Sequence, residues 1–179
     1  VPSGTEVILR RLDEKGNPGY FNNGRTTVAR DGRFEIKNLD AGRYLCEVSF
    51  PGCPRGAAEK IDIRGETRFD FNLNTGSIQG VIRDAEGRPV KGKVVVTSSD
   101  GETSSHRGQL LVFSQRGGSI ALGGGGDSAI DSDEEGRYVI PVVPTGTRKI
   151  RATAASRSRT RSAEVTAGRT TTLDFDLDS

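Results

Sequence analysis

The sequence predicts an all-β protein made of two tandem Ig-like β-sandwiches, residues 1–74 and 75–179. Three observations predict it. The passage DGRFEIKNLDAGRY at 31–44 returns as EGRYVIPVVPTGTRK at 135–149 in one grammar of turn, short strand, tight loop and strand. Gly32 and Gly136, Gly42 and Gly146, Phe71 and Phe175, and Leu73 and Leu177 all keep one constant separation, so a single supersecondary plan is written twice. Finally, apolar residues recur at every second position in short runs broken by Gly, Pro and Asn, and no run sustains a helical period.

Each element follows from the same pattern. In 5–12, Val7 and Leu9 share one face of a strand, and DEKGNPGYFNNG after it must turn the chain. Short strands are expected over 26–29 and over 33–37, the latter with Phe34 and Ile36 inward and Leu39 plugging the loop that follows. Tyr44, Cys46, Val48 and Phe50 form the plainest period-two run, which Pro51 and Gly52 end. Ile61 and Ile63, then Phe69, Phe71 and Leu73, complete the first domain. In the second, Ile78, Gly80 and Ile82 alternate before a turn at 84–87, while 94–97 is too uniformly apolar for parity to fix its buried face. Tyr138, Ile140 and Val142, Ile150 and Ala152, and Leu173, Phe175 and Leu177 resume the pattern. An insertion at about 101–130 should add a Gly-rich hairpin, with strands over 109–114 and 119–122.

The two copies do not start alike. The second opens with GSIQGVIRDAEGRPVKGKVVV, a strand, a turn and a strand, whereas VPSGTEVIL matches only the later part. The first domain is therefore expected to lack its first strand. Either the sequence is a segment of a longer array, or a neighbouring chain donates the strand by β-augmentation beside an open edge at 7–11.

Composition narrows the function classes. A net charge of +2 from 26 basic and 24 acidic residues gives no field that calls for nucleic acid. No apolar run is long enough to cross a bilayer. His106, inside the insertion, is the only histidine, so His-based triads and His-rich zinc sites have little to work with. No catalytic grouping emerges, no cofactor is expected, and the chain reads as a non-enzyme.

The run I-x-G-x-I-x-D at 78–84, then Gly87, Pro89 and Gly92, EGRYVI, PTG and GRTTTLDFDL, resembles the carboxypeptidase regulatory-like domains. That resemblance implies transthyretin-like sandwiches of about seven strands. It also implies a non-catalytic spacer or accessory role in secreted or surface proteins, and so an extracellular or cell-surface location. The related collagen-adhesin B-type domains often carry a Lys–Asn isopeptide bond. Here Glu47 stands three places after Tyr44 and Arg83 occupies the opening strand, so no such bond is expected.

Five other features could bind or react. Asp131, Asp133 and Glu135 with Gly136 match the first half of a calcium loop, against the alternative of a plain hairpin turn. Cys46 and Cys53 flank a Pro-Gly turn and could form a disulfide, or Cys46 could be a core thiol. Arg157, Arg159 and Arg161 alternate along one strand, either as a polyanion contact or as a solvated face that discourages edge pairing. Tyr20 and Phe21 could form a carbohydrate platform, and Leu110, Leu111, Val112 and Phe113 a protein contact or self-association surface. The functional expectation is a structural or adhesive module that spaces or assembles others, with a fibre subunit completed by strand exchange as one form of it. The alternative is a carbohydrate-binding accessory module of a secreted protein.

Overall fold

The structure, a computed structural model, describes residues 1–99 and 129–177. These form twelve strands and no helix: β1 (Glu6–Arg11), β2 (Gly24–Thr27), β3 (Gly42–Phe50), β4 (Cys53–Ile63), β5 (Thr75–Asp84), β6 (Lys93–Ser99), β7 (Ile130–Asp131), β8 (Arg137–Pro144), β9 (Gly146–Ala154), β10 (Arg157–Val165), β11 (Thr170–Thr172) and β12 (Phe175–Leu177). The expected hairpin over 109–122 lies outside the described residues.

Three sheets result. One has the order β2-β1-β3-β4 and another β10-β9-β6-β7, both antiparallel. In the third, β8 runs antiparallel to β5 on one edge, while β11 and β12 lie parallel to β5 on the other. Every ladder among the described residues lies within 6–63 or within 75–177. The first two sheets repeat one another in register. Val7 and Leu9 face Val48 and Cys46, as Val94 and Val96 face Ala152 and Ile150. The register settles what parity in 94–97 left open, since Val94 and Val96 are buried.

One five-residue turn links several of these strands. The amide of Asp84 donates to the Arg88 carbonyl, and that of Gly87 to the Asp84 carbonyl; Asp13 to Asn17, Ala29 to Arg33 and Asp133 to Arg137 repeat both bonds. Gly16, Gly32, Gly87 and Gly136 each take a φ between 70° and 87°, which a side chain would oppose. The Asp carboxylate caps the turn by accepting the later backbone amides, as Asp84 does from Glu86 and Arg88.

Phe34, Ile36, Phe69, Phe71 and Leu73 depart from expectation. Residues 33–37 and 69–73 form no strand, and these five side chains are only half-buried. Their counterparts in the later half, Tyr138, Ile140, Leu173, Phe175 and Leu177, are 0 to 6% exposed. The cause is β5: its ladders turn 137–144 and 170–177 into strands, and no described strand takes that place between 33–40 and 67–73. A strand needs a partner for its amides and carbonyls, whatever its own alternation. The open edge expected beside 7–11 is also corrected. Strand β1 is paired on both sides, by β2 and β3, and the gap lies in the layer opposite.

The buried side chains of both halves form one continuous cluster. Where they meet, Gly52 at the tip of the β3–β4 hairpin accepts the Val96 amide at 2.7 Å, and Asn74 accepts that of Thr145 at 3.0 Å. A Cβ on Gly52 would stand 2.8 Å from Cγ2 of Ile140, and its φ is 77°. Only glycine lets this tip seat against the second half.

Candidate functional site

A groove crosses the first half. Beneath it lies the inner face of β1 and β3, whose Val7, Leu9, Cys46 and Val48 are already covered, 1 to 4% exposed. Its walls are the two unpaired segments, carrying Phe34 and Ile36 on one side and Phe69 and Phe71 on the other. The groove comprises two stretches of about 340 and 900 Å³. The slot is thus lined by half-covered aromatic and branched side chains.

The later half shows how such a slot looks when filled. Strand β5 presents Ile78 and Ile82 inward, both 0% exposed, with Gly80 between them. A Cβ on Gly80 would meet the Leu173 carbonyl oxygen at 2.0 Å, so the close crossing of backbones excludes any side chain there. Asp174 fixes the strand from the side: its carboxylate accepts the Val81 amide at 2.9 Å and pairs with Arg83 at 3.2 Å. The Tyr138 hydroxyl donates to the Leu173 carbonyl, and burial, then the charge of Asp174, pushes its pKa upward.

Arg157, Arg159 and Arg161 perform a task that the sequence did not reveal. Their guanidiniums donate to the carbonyls of Leu177, Asp176 and Asp174, at 3.4, 2.6 and 2.6 Å. The three cations clasp β12 and the residue before it through charge-assisted bonds to backbone carbonyls. Alternating arginines mark one face of β10, but nothing in their spacing says what lies across from it.

The other sequence candidates are placed as follows. Tyr20 and Phe21 project into solvent, 96% and 84% exposed, and do not fold back on the core. Asp133 accepts the backbone amide and Nε of Arg137, whose guanidinium also holds Glu135, while Asp131 faces Lys93 at 3.9 Å. Asp133 and Glu135 thus serve the five-residue turn, and the Arg137 contact depresses the Asp133 pKa. Among the described residues no group of three or more His, Cys, Asp or Glu is arranged to hold a metal ion. Cys46 and Cys53 are buried and are not bridged. Cys46 lies opposite Glu59 and Cys53 opposite Phe50, which separates them by about 13 Å along the strands, beyond a disulfide's reach. Burial, then Glu59 and Glu47, pushes the Cys46 thiol up to about 12. Glu47 pairs with Arg10 at 3.0 Å. His106, Leu110, Leu111, Val112 and Phe113 lie outside the described residues. No helix among the described residues is long and apolar enough to cross a membrane.

No family model matches the chain, and no curated protein matches it. Of the carboxypeptidase regulatory-like resemblance, the strands themselves carry the all-β sandwich architecture and nothing finer. Among solved structures, the chain is similar to the minor pilin of the Gram-positive pathogen Streptococcus agalactiae, at 14% identity and a TM-score of 0.41, covering 99% of this chain and 84% of that one. It is also similar to the major pilin subunit of Bacillus cereus, at 15% and 0.36, covering 98% and 60%. A third likeness is to the TIE protein of Bacillus anthracis, at 11% and 0.36, covering 97% and 30%. The chain spans less than two thirds of the latter two, and scores this low carry no argument about activity.

Proposed function

We propose that the chain is a non-catalytic structural module of an extracellular or cell-surface protein, built as two tandem β-sandwich units that space or assemble neighbouring modules under tension. The observation that carries this reading is the parallel pairing of β12 with β5, Phe175 opposite Ile82 and Leu177 opposite Asp84. Tension applied at Thr75, where β5 begins, and beyond Leu177, where β12 ends, slides two neighbouring strands past each other. The ladder bonds then share the load together; in a hairpin opened from its free end they break one at a time. The β11 ladder, the Asp174 contacts and the three-arginine clasp all reinforce the same pair.

Single-molecule pulling tests this reading, because forced unfolding reports the unfolding barrier in a chosen direction. With handles at Thr75 and Leu177 the second half should resist a higher force than with handles at Thr147 and Glu164, register partners near the open end of the β9–β10 hairpin. Equal forces in the two geometries would remove the mechanical reading.

A second reading rests on Tyr20 and Phe21, adjacent aromatic rings held in solvent at a loop tip. Such rings suit the apolar faces of sugars, which would make the module a carbohydrate-binding accessory unit. Glycan binding that disappears in the Tyr20→Ala, Phe21→Ala double variant supports this; binding that the double variant leaves unchanged removes both rings from the case.

A further inference from the structure

We propose that Asn23 is a self-modifying site: the backbone nitrogen of Gly24 closes onto the Asn23 side chain, expels ammonia and leaves an aspartate or isoaspartate at the head of β2. This inference goes beyond the structural reading above and does not depend on it. The reaction is intramolecular and draws on water alone, so it requires no partner chain.

The sequence supplies the reactive pair, and the fold explains why it is kept. Of the six asparagines, Asn23 alone precedes a glycine. A five-membered ring closes onto an asparagine most readily when the next residue has no side chain to crowd the attacking nitrogen. Gly24 is held as glycine for a separate reason, since a Cβ there would stand 2.6 Å from Cγ2 of Ile36.

Local geometry favours closure. Asn23 and Gly24 both stand against Leu9: the Asn23 amide donates to the Leu9 carbonyl at 2.8 Å, and Gly24 is the register partner of Leu9. Two residues opposing one make a bulge, and Asn23 lies in a bend ahead of β2, not in the strand. In an extended strand the next nitrogen is turned away from the side chain; a bulge relaxes that separation. The side chain is also held in place, because its Oδ1 accepts the Arg11 amide at 2.6 Å at an exposed position. As the Gly24 nitrogen, deprotonated by hydroxide, bonds to Cγ, negative charge collects on Oδ1, where the Arg11 N–H stabilises it. The Cγ–Nδ2 bond then breaks, ammonia leaves with a proton from water, and a succinimide remains. Water opens that ring at either carbonyl, and nothing is oxidised or reduced.

The two products differ in consequence. Aspartate keeps an acceptor for the Arg11 amide. Isoaspartate routes the main chain through Cβ and Cγ, adding one backbone atom ahead of β2. That displaces Gly24 and Arg25 relative to Leu9 and Ile8, and pulls on the Arg25 guanidinium, which Glu6 holds at 2.6 to 3.1 Å. Strand β2 has four residues and pairs only with β1, so it is the part of the sheet that yields. Its release turns β1 into an open edge.

The test incubates the whole chain at pH 8 and maps its peptides by mass. A gain of about one dalton is expected at Asn23 and at no other asparagine. Electron-transfer fragmentation should find isoaspartate at that position. Hydrogen exchange at 24–27 should speed up in the isoaspartyl fraction while that of β3 stays unchanged; equal exchange at 24–27 would refute the loosening of β2. Asn23→Gln, which needs a larger ring, should show no gain. The free peptide GYFNNGRTT in the same buffer sets the scale, and the folded chain should convert within about tenfold of its rate. A folded chain that stays unmodified, or lags the peptide by more than that, overturns the proposal, since the ladder would then lock the side chain away. Equal gains at Asn22 or Asn38 overturn it as well.

Discussion

The carbonyl of Gly52 accepts the amide of Val96 across the junction of the two halves, at 2.7 Å. One hydrogen bond of this kind is worth little alone, but the Cα of Gly52 sits where any side chain would strike Ile140 and Ile130. Gly52→Val should therefore destabilise the chain by about 2–4 kcal/mol, from overpacking and from a left-handed backbone that a branched residue resists. Urea unfolding of both proteins measures it. A loss below about 0.5 kcal/mol would mean that the tip does not seat as described.

The two phenylalanines at matching positions should behave differently. Phe175→Ala empties a site that is 0% exposed and should cost about 3–5 kcal/mol. Phe71→Ala acts on a half-buried ring at the groove and should cost less than half as much. Equal costs by urea unfolding would contradict an open slot.

Removing the clasp should loosen one strand only. Arg159→Ala with Arg161→Ala leaves the carbonyls of Asp176 and Asp174 to water, at a cost of about 1 kcal/mol or less for such exposed contacts. Hydrogen exchange at 175–177 should speed up while that of β3 stays unchanged. Unaltered exchange at 175–177 would show that the arginines are bystanders.

Acid should act through the turn carboxylates. Asp133 titrates below its ordinary value of 3.8, chiefly because of the Arg137 side chain, so its contribution is present above that value. As pH falls below 3.8 towards the lower folded value, the native state must take up the proton and the contribution is lost. The urea midpoint should drop over that window, and less steeply in Asp133→Asn. Identical profiles would contradict the capping role.

Cys46 should be inert in the folded chain, since burial first and then Glu59 and Glu47 push its pKa up to about 12. Iodoacetamide at pH 8 should label Cys46 only after unfolding, and reduction should leave the mass unchanged. A two-dalton shift on reduction would show the bridge that the register opposes.

Much of the fold was legible because its punctuation is physical. Gly32 and Gly136 must be glycine for their turns, and Tyr44, Cys46, Val48 and Phe50 can share a face only in a strand. What was not legible belongs to pairing. Phe34 and Ile36 alternate as Tyr138 and Ile140 do, yet a strand at 33–37 depends on a neighbour, and period-two alternation cannot report whether that neighbour is present. The sequence placed an open edge beside Val7, where β1 is paired on both sides, because nothing local says which layer a strand joins. Asp131, Asp133 and Glu135 carry a spacing of acids before a glycine that a capped turn and the first half of a calcium loop share. Arg157, Arg159 and Arg161 were visible as a stripe, but their partners are carbonyls 13 to 20 residues away, in β12 and just before it. Gly52 was read as a strand terminator, and its role at the junction has no local signal.

One continuous core spans both halves and should make them a single stiff module, and backbone relaxation of nitrogen-15 tests that most directly. Amides in 6–63 and in 75–165 should report one shared rotational correlation time, and Gly52→Val should split it into two shorter ones. Two distinct, shorter times in the unmodified chain would mean that the halves tumble separately, and the seating of Gly52 against Val96 and Ile140 would be wrong.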